Sequence, residues 1–232
     1  MTWITRNIAG GNFFSWKPAL DLGINHGFGD RGLTYSSEEK DIFCQTLGQA
    51  LKVKSIFQAT QVHGVGVFNV SKESQIQEAD TLMGDLSDTP NAGIFIKTAD
   101  CVPLIGIGEA QITLIHAGWR GLAGGAIQSA LKLVPGLKTV LVGPAAGKCC
   151  YDVGREVIQE IGSEAAYEER HGKIFLSTSR TAENIVRKYF TKVELHSAEL
   201  CTICDSKYNS YRRDKNNLRN ITFATVFSEL KA

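Results

Sequence analysis

The sequence predicts an α+β fold, a single-domain mixed β-sheet sandwich over residues 1–232 with helices packed on it. Three observations carry this. Strand candidates outnumber helix candidates, and several follow one another with no helix between, which argues against a regular βαβ winding. No repeat, low-complexity tract or charge block interrupts the chain, and its five prolines mark no linker. At 232 residues the chain is long enough to bury a substantial core.

The first helix is expected over residues 37–51, opened by a capping-box pattern with Ser36 followed three residues on by Glu39. Apolar runs at 56–59 and 65–70 flank Gln61-Val-His63-Gly64, so His63 lies at a strand edge. Strands are expected at 93–97, 102–107 and 112–115, each a short run of β-branched or bulky apolar residues bounded by Gly, Asp or Glu. After Trp119 the period changes. Leu122, Ala126, Ile127, Ala130, Leu131 and Val134 recur at three and four residues, and Pro135-Gly136 ends this helix of 121–134. Beyond it come a strand at 139–142, helices at 154–161 and 163–169, a strand at 173–176, a helix at 179–190, and strands at 193–196 and 221–227.

Hydrophobic content of 43% and charged content of 21% are ordinary for a soluble globular protein. A formal net charge of +1 leaves no electrostatic footprint for nucleic acid or an anionic membrane, so the expected partner is a small molecule. No apolar run approaches the ~20 residues that span a bilayer. The opening Met1-Thr-Trp-Ile-Thr-Arg-Asn7 lacks the basic segment and apolar region of a signal peptide, and a cytoplasmic location is expected.

Six cysteines in a reducing compartment do not suggest a disulfide scaffold. Cys201-Thr-Ile-Cys204 has the spacing of a redox motif or of half a four-cysteine zinc site. No second CxxC exists, and vicinal Cys149-Cys150 is poorly shaped to supply the other half. The pair is therefore read as buried thiols beneath residues 208–213.

Thr98-Ala-Asp-Cys-Val-Pro103 and His116-Ala-Gly-Trp-Arg-Gly121 put chemistry at the ends of the central strands. His116 closes a strand and Arg120 begins a helix, the kind of place where α/β sheets hold ligands. With His63, Cys101 and His116 make two imidazoles and one thiolate, a set suited to Zn²⁺ with an open fourth position. No short metal signature such as HExxH accompanies them. The competing reading is a buried, small, apolar Cys101 beside hydrogen-bonded core histidines.

Six blocks in order turn this into a resemblance. Gln61-Val-His63, Glu78-Ala-Asp80, the two segments above, Gly143-Pro144 with Cys150-Tyr-Asp-Val-Gly154, and Cys201-Thr-Ile-Cys204 with Ser210-Tyr-Arg-Arg213 resemble the YfiH/YlmD-like laccase-domain family, also called multicopper polyphenol oxidoreductases. The similarity runs from Gln61 to Arg213, about two-thirds of the chain. It implies a sandwich fold, a zinc site on His63, Cys101 and His116, and purine nucleoside chemistry. That chemistry is phosphorolysis of adenosine, inosine or methylthioadenosine with inorganic phosphate as co-substrate, or deamination of adenosine to inosine. A bacterial branch is linked to editing of peptidoglycan precursors. The chain departs from the family after His26-Gly-Phe-Gly-Asp-Arg-Gly32, where a longer loop is usual and Arg31 stands for the family arginine. Asn209 also replaces the usual aromatic.

Within that chemistry each residue has an expected part. Zinc would lower the pKa of a bound water toward ~7. Asp80 and Asp100 are the carboxylates that would shuttle protons. Asp100 would point away from Cys101 in a regular strand, and a supporting or turn-forming role is its alternative. Arg120 would bind phosphate, with Gly118 and Gly121 letting backbone approach the anion. Arg212 and Arg213 are further phosphate candidates and Tyr211 a stacking surface for the base. For all three arginines the alternative is an ion pair or a structural hydrogen bond.

Three other functions use the same residues. Cys101 and His116 would make a nucleophile–base dyad for amide hydrolysis. Their separation and the fold also resemble the deamidase domain of cytotoxic necrotizing factor toxins. A second alternative is a non-enzymatic metal-binding domain. The third, a copper-dependent laccase, is disfavoured: blue and trinuclear copper sites together take roughly ten histidines. This chain has five, with His171 and His196 outside the cluster.

Overall fold

The computed structural model describes residues 3–70, 78–86 and 90–227. Strands β1 (Trp3–Ile8) and β2 (Gly11–Trp16) make a hairpin, followed by the short helix α1 (Lys17–Asp21) and strand β3 (His26–Gly29). A 3₁₀ turn at Ser37–Glu39 enters helix α2 (Lys40–Leu51). Next come β4 (Ser55–Phe57), β5 (Val67–Asn69), β6 (Thr81–Asp85), β7 (Ala92–Thr98), β8 (Val102–Ile107) and β9 (Gln111–Ala117). Helices α3 (Trp119–Gly124) and α4 (Ala126–Leu131) lead to β10 (Thr139–Val142), β11 (Asp152–Val153) and α5 (Arg155–Ile161). The remainder is β12 (Tyr167–Arg170), β13 (Lys173–Leu176), α6 (Thr178–Tyr189), β14 (Glu194–Ser197), α7 (Tyr211–Asp214) and β15 (Asn220–Val226).

Two mixed sheets dominate, in the orders β1-β2-β3-β15-β7-β4 and β14-β10-β8-β9-β6-β5, with a small sheet β11-β13-β12 beside them. The two-residue period of the strands decides the layering. In β7, Ile94 and Ile96 enter the layer between the large sheets, while Phe95 turns outward onto Phe43, Leu47 and Leu51 of α2. In β10, Leu141 faces inward, while Val140 and Val142 meet the layer formed with Leu122, Ile127, Leu131, Val157 and Ile185. The result is helix, sheet, sheet, helix: a mixed α/β sandwich with one layer more than a single helix-covered sheet.

Local chemistry explains where the elements differ from expectation. The helix expected at 163–169 is instead a 3₁₀ turn, Gly162–Glu164, followed by β12. His171 and Gly172 take φ of 50° and 71°, which closes a two-residue hairpin that pairs Arg170 with Lys173. The helix expected at 121–134 breaks in two at Gly125, whose φ is 84°. The Ser36 hydroxyl accepts from the Glu38 amide and caps the 3₁₀ turn ahead of α2. No helix among the described residues is long and apolar enough to cross a membrane.

Leu114 is fully buried between the two sheets. Replacing it with alanine should cost about 3 kcal/mol in an equilibrium denaturant titration, since a close-packed inter-sheet layer leaves most of the cavity unfilled.

Candidate metal centre and its cavity

The β8–β9 hairpin aligns Pro103 with His116 and Val102 with Ala117, which brings the residue before β8, Cys101, to the end of β9. Asp100 reaches this turn with φ of 88°, so β8 starts only after Cys101 and the strand alternation that would separate the two residues does not apply. His63 also has a left-handed φ, 62°. Two side chains hold its loop. Gln61 donates to the Lys97 carbonyl at 2.8 Å and accepts from the Lys97 amide at 2.8 Å, acting as a strand partner at the end of β7. Asp80 accepts from the amides of Val62, His63 and Gly64 at 3.3, 2.9 and 2.6 Å.

The same carboxylate meets Nδ1 of His116 at 2.8 Å, with the two side chains 0% and 3% exposed. The ligand atoms of His63, Cys101 and His116 lie within 4.8 Å of one another. Gly118 leaves room for them: a β-carbon there would stand 3.0 Å from Cys101 Sγ and 3.1 Å from His63 Cδ2. One thiolate, two imidazoles and a carboxylate behind one imidazole are the donor set and support of a zinc site that keeps a position open. The residues fit the ion that the resemblance implies.

Electrostatics favours the thiolate form of Cys101 and the charged form of His116, whose ring proton a metal would displace. Burial alone would raise the Cys101 thiol, but the charge and hydrogen bond of His116, with His63, pull it down to about 6. Burial would lower His116, yet the Cys101 thiolate and the Asp80 hydrogen bond push it up to about 9. Burial would likewise raise Asp80, and its bonds to His116, Gly64 and His63 hold it below the usual carboxylate range. Without metal, the neutral-pH form is a thiolate–imidazolium pair.

His63, Cys101 and His116 open into a cavity of about 870 Å³, within the size range of small-molecule sites. Asp100, Arg120, Tyr211 and Arg212, all picked out in the sequence, line it as well. Asp100 spends its oxygens on the Thr202 hydroxyl at 2.8 Å and the Arg212 amide at 2.6 Å, so it pins the wall of the cavity. Arg212 reaches Asp152 at 2.7 Å and lies over the Tyr151 ring.

Three candidate residues stand outside the lining. Asp80 is absent from the lining and stands behind His116, with its oxygens taken up by that imidazole and the loop amides. Arg213 turns away from the cavity to the carbonyls of Thr202, Ile203 and Tyr208 and to Asp214, clamping a loop. Arg31 donates to the Ser206 carbonyl and likewise lies outside the lining.

Motif reading missed Lys97, Lys215 and Arg219, which join Arg120 in the lining. Among the described residues none of these four has a carboxylate within 4.0 Å. Arg120 lies over Trp119, Lys215 over Tyr211, and Lys97 over Tyr35. Burial, with Lys40 and Arg219 nearby, holds Lys97 below its ordinary value. The cavity is a cationic, aromatic-walled site beside a candidate metal centre.

The other histidines stand elsewhere. His26 is fully buried, accepts from the Trp16 amide at 3.0 Å and is lowered by burial to about 4. His171 occupies the β12–β13 turn, and His196 stacks on Trp16 at 3.7 Å. The CxxC reading is also corrected. Cys149 and Cys204 are exposed, Cys150 and Cys201 half-buried, and their four sulfurs lie within 4.8 Å of one another.

Residues 20–226 match the family described as multi-copper polyphenol oxidoreductase laccase. The chain is 37% identical over 161 residues to a protein of Aquifex aeolicus named purine nucleoside phosphorylase, covering 68% of this chain and 75% of that one. It is 29% identical over 178 residues to the Escherichia coli purine nucleoside phosphorylase YfiH, covering 70% of each. In structure it is similar to YfiH of Bacillus licheniformis, with a TM-score of 0.79 at 19% identity over 96% of this chain and 98% of that one. It is also similar to YlmD of Geobacillus stearothermophilus, with a TM-score of 0.79 at 20% identity over 97% and 100%.

Asp80→Asn keeps one acceptor and loses the other together with the charge. Zinc affinity, read by competition against a chromogenic chelator, should fall about 10- to 100-fold. In the metal-stripped protein, Cys101 should be alkylated with a rate midpoint near pH 6, reactive above it and protected below. His116→Gln should move that midpoint upward, as peptide mass mapping would show.

Proposed function

The chain belongs to the multi-copper polyphenol oxidoreductase laccase family, and from that premise we propose that it is a zinc-dependent purine nucleoside phosphorylase. Adenosine, inosine or methylthioadenosine would react with inorganic phosphate to give free base and the corresponding sugar 1-phosphate. The observation that carries this reading is one cavity holding both a three-donor metal cluster and uncompensated cations over aromatic rings. A nucleoside needs the rings, and a phosphate co-substrate needs the cations.

His63, Cys101 and His116 would hold the zinc, which supplies Lewis acidity and a bound water of lowered pKa. With metal bound, Asp80 would accept from Nδ1 of His116 and leave Nε2 to face the cluster. Lys97, Arg120, Lys215 and Arg219 supply the positive field that draws phosphate in, and Arg120 can bind two of its oxygens at once. Trp119, Tyr151 and Tyr211 offer faces for the purine. In the reaction the bond from the sugar carbon to the base nitrogen breaks as a phosphate oxygen bonds to that carbon. The departing base keeps the electron pair and takes up a proton. Asp100 fixes the Arg212 backbone and so keeps Tyr211 and Arg212 in the wall.

One observation favours a second reading. The thiolate–imidazolium character of Cys101 and His116 suits a nucleophile–base dyad for amide hydrolysis, including peptidoglycan precursor editing. Zinc on Cys101 would suppress it, because a metal-bound thiolate is a weaker nucleophile.

Metal-quantified protein incubated with adenosine separates these readings. Adenine and ribose 1-phosphate formed only with phosphate establish the phosphorylase. Inosine formed with and without phosphate establishes a deaminase on the same zinc. Untouched adenosine leaves the amide hydrolase. Cys101→Ala should abolish turnover and lower bound zinc together; turnover that survives loss of the metal overturns the proposal. Arg120→Ala should raise KM for phosphate about tenfold, the weight of one charge-assisted contact.

A further inference from the structure

Of the five cysteines besides Cys101, all but Cys44 form a second cluster. Cys149 Sγ lies 3.1 Å and Cys150 Sγ 2.6 Å from Cys204 Sγ, and Cys201 completes a set whose sulfurs are all within 4.8 Å. None of the four lines the cavity.

Backbone pairing brings these distant residues together. Ala145 bridges Cys201 in parallel, with Ala145 donating to Leu200 and Thr202 donating back to Ala145, each at 3.1 Å. The chain then turns tightly, Cys150 and Tyr151 both donating to the Gly147 carbonyl. That turn throws two adjacent cysteine side chains to the same side. Gly147 makes room, since a β-carbon there would meet Cys149 Sγ at 3.3 Å and Cys201 Sγ at 3.4 Å.

We propose that Cys149, Cys150, Cys201 and Cys204 bind a second, structural Zn²⁺, closed by four thiolates. A tetrahedral site with zinc–sulfur bonds of about 2.3 Å has sulfurs about 3.8 Å apart, inside the spread seen here. Four sulfurs packed together have no use for a single disulfide, which joins two and leaves two crowded against it. Thiolates at one point also repel unless a cation sits among them. The surroundings suit a site of net negative charge. The Gly147 amide donates to Cys201 Sγ at 3.4 Å, with the amides of Ile203 and Cys204 also directed at it. Arg170 donates to the carbonyls of Lys148 and Cys149.

The ion would join the loop after β10 to the loop before α7. Both feed the cavity wall: Tyr151 follows Cys150 directly, and Thr202, inside the CxxC, holds the Asp100 carboxylate next to Cys101. The second site therefore braces the wall without taking part in chemistry.

The test uses the full chain, stripped with chelator and reloaded with Zn²⁺, then pulsed with iodoacetamide and mapped by peptide mass. Cys149 and Cys204 are exposed and should react rapidly when stripped; zinc should slow both at least tenfold. Titration with Co²⁺ should show an intense thiolate-to-cobalt charge-transfer band that is largely retained in Cys101→Ser and falls severalfold, to the one-thiolate intensity of the Cys101 site, when Cys149, Cys150, Cys201 and Cys204 are all replaced by Ser. Metal analysis of Cys101→Ser should still find one zinc per chain. Cysteines that stay reactive in saturating zinc, a disulfide in the unreduced protein, or iron in place of zinc would overturn the proposal.

Discussion

The Asp80 carboxylate organises the site. Burying a charge is costly unless every lone pair is used, and here three loop amides and one imidazole use them. One group thus shapes the His63 loop, orients the His116 ring and ties the start of β6 to β9. The left-handed backbone of His63 is held in place by those amide–carboxylate hydrogen bonds.

Around that anchor the fold separates stability from chemistry. The inter-sheet layer and the two outer layers are apolar and continuous. The reactive groups gather where strands end, in the loop before β5, the turn after β7 and the last residues of β9. Charge follows the same division. A chain of net charge +1 draws to one cavity four cations that have no carboxylate partner among the described residues, so the local field there is stronger than the global balance suggests.

Sequence reading found the strands at 102–107, 139–142 and 173–176 with their observed bounds, because continuous apolar runs between turn residues have few other readings. The β1–β2 hairpin escaped it: the turn is Ala9-Gly10, with an alanine at positive φ where an Asn-Gly signal would have been recognised. Strand β6 escaped too, since Leu82, Met83 and Gly84 carry no strand signature of their own. His63, Cys101 and His116 were visible as motif residues and came together as a cluster. Lys97 and Lys215 lie in no motif, Arg219 only in a faint echo of one at 217–219, and all three are made neighbours by tertiary structure. The cysteine cluster was misread for the same reason, as its halves lie some 50 residues apart and meet through a single bridge.

Strand β15 lies between β3 and β7, pairing with both. Strands from the beginning and the middle of the chain are therefore joined by one made nearly two hundred residues after the first. During synthesis the first sheet cannot close until residues 220–226 have left the ribosome, while the β8–β9 hairpin can form long before. Half of the sandwich would wait with an open edge and an uncovered apolar face, a state exposed to aggregation and to chaperone capture. The cavity, lined from Tyr35 to Arg219, is completed only at that last step.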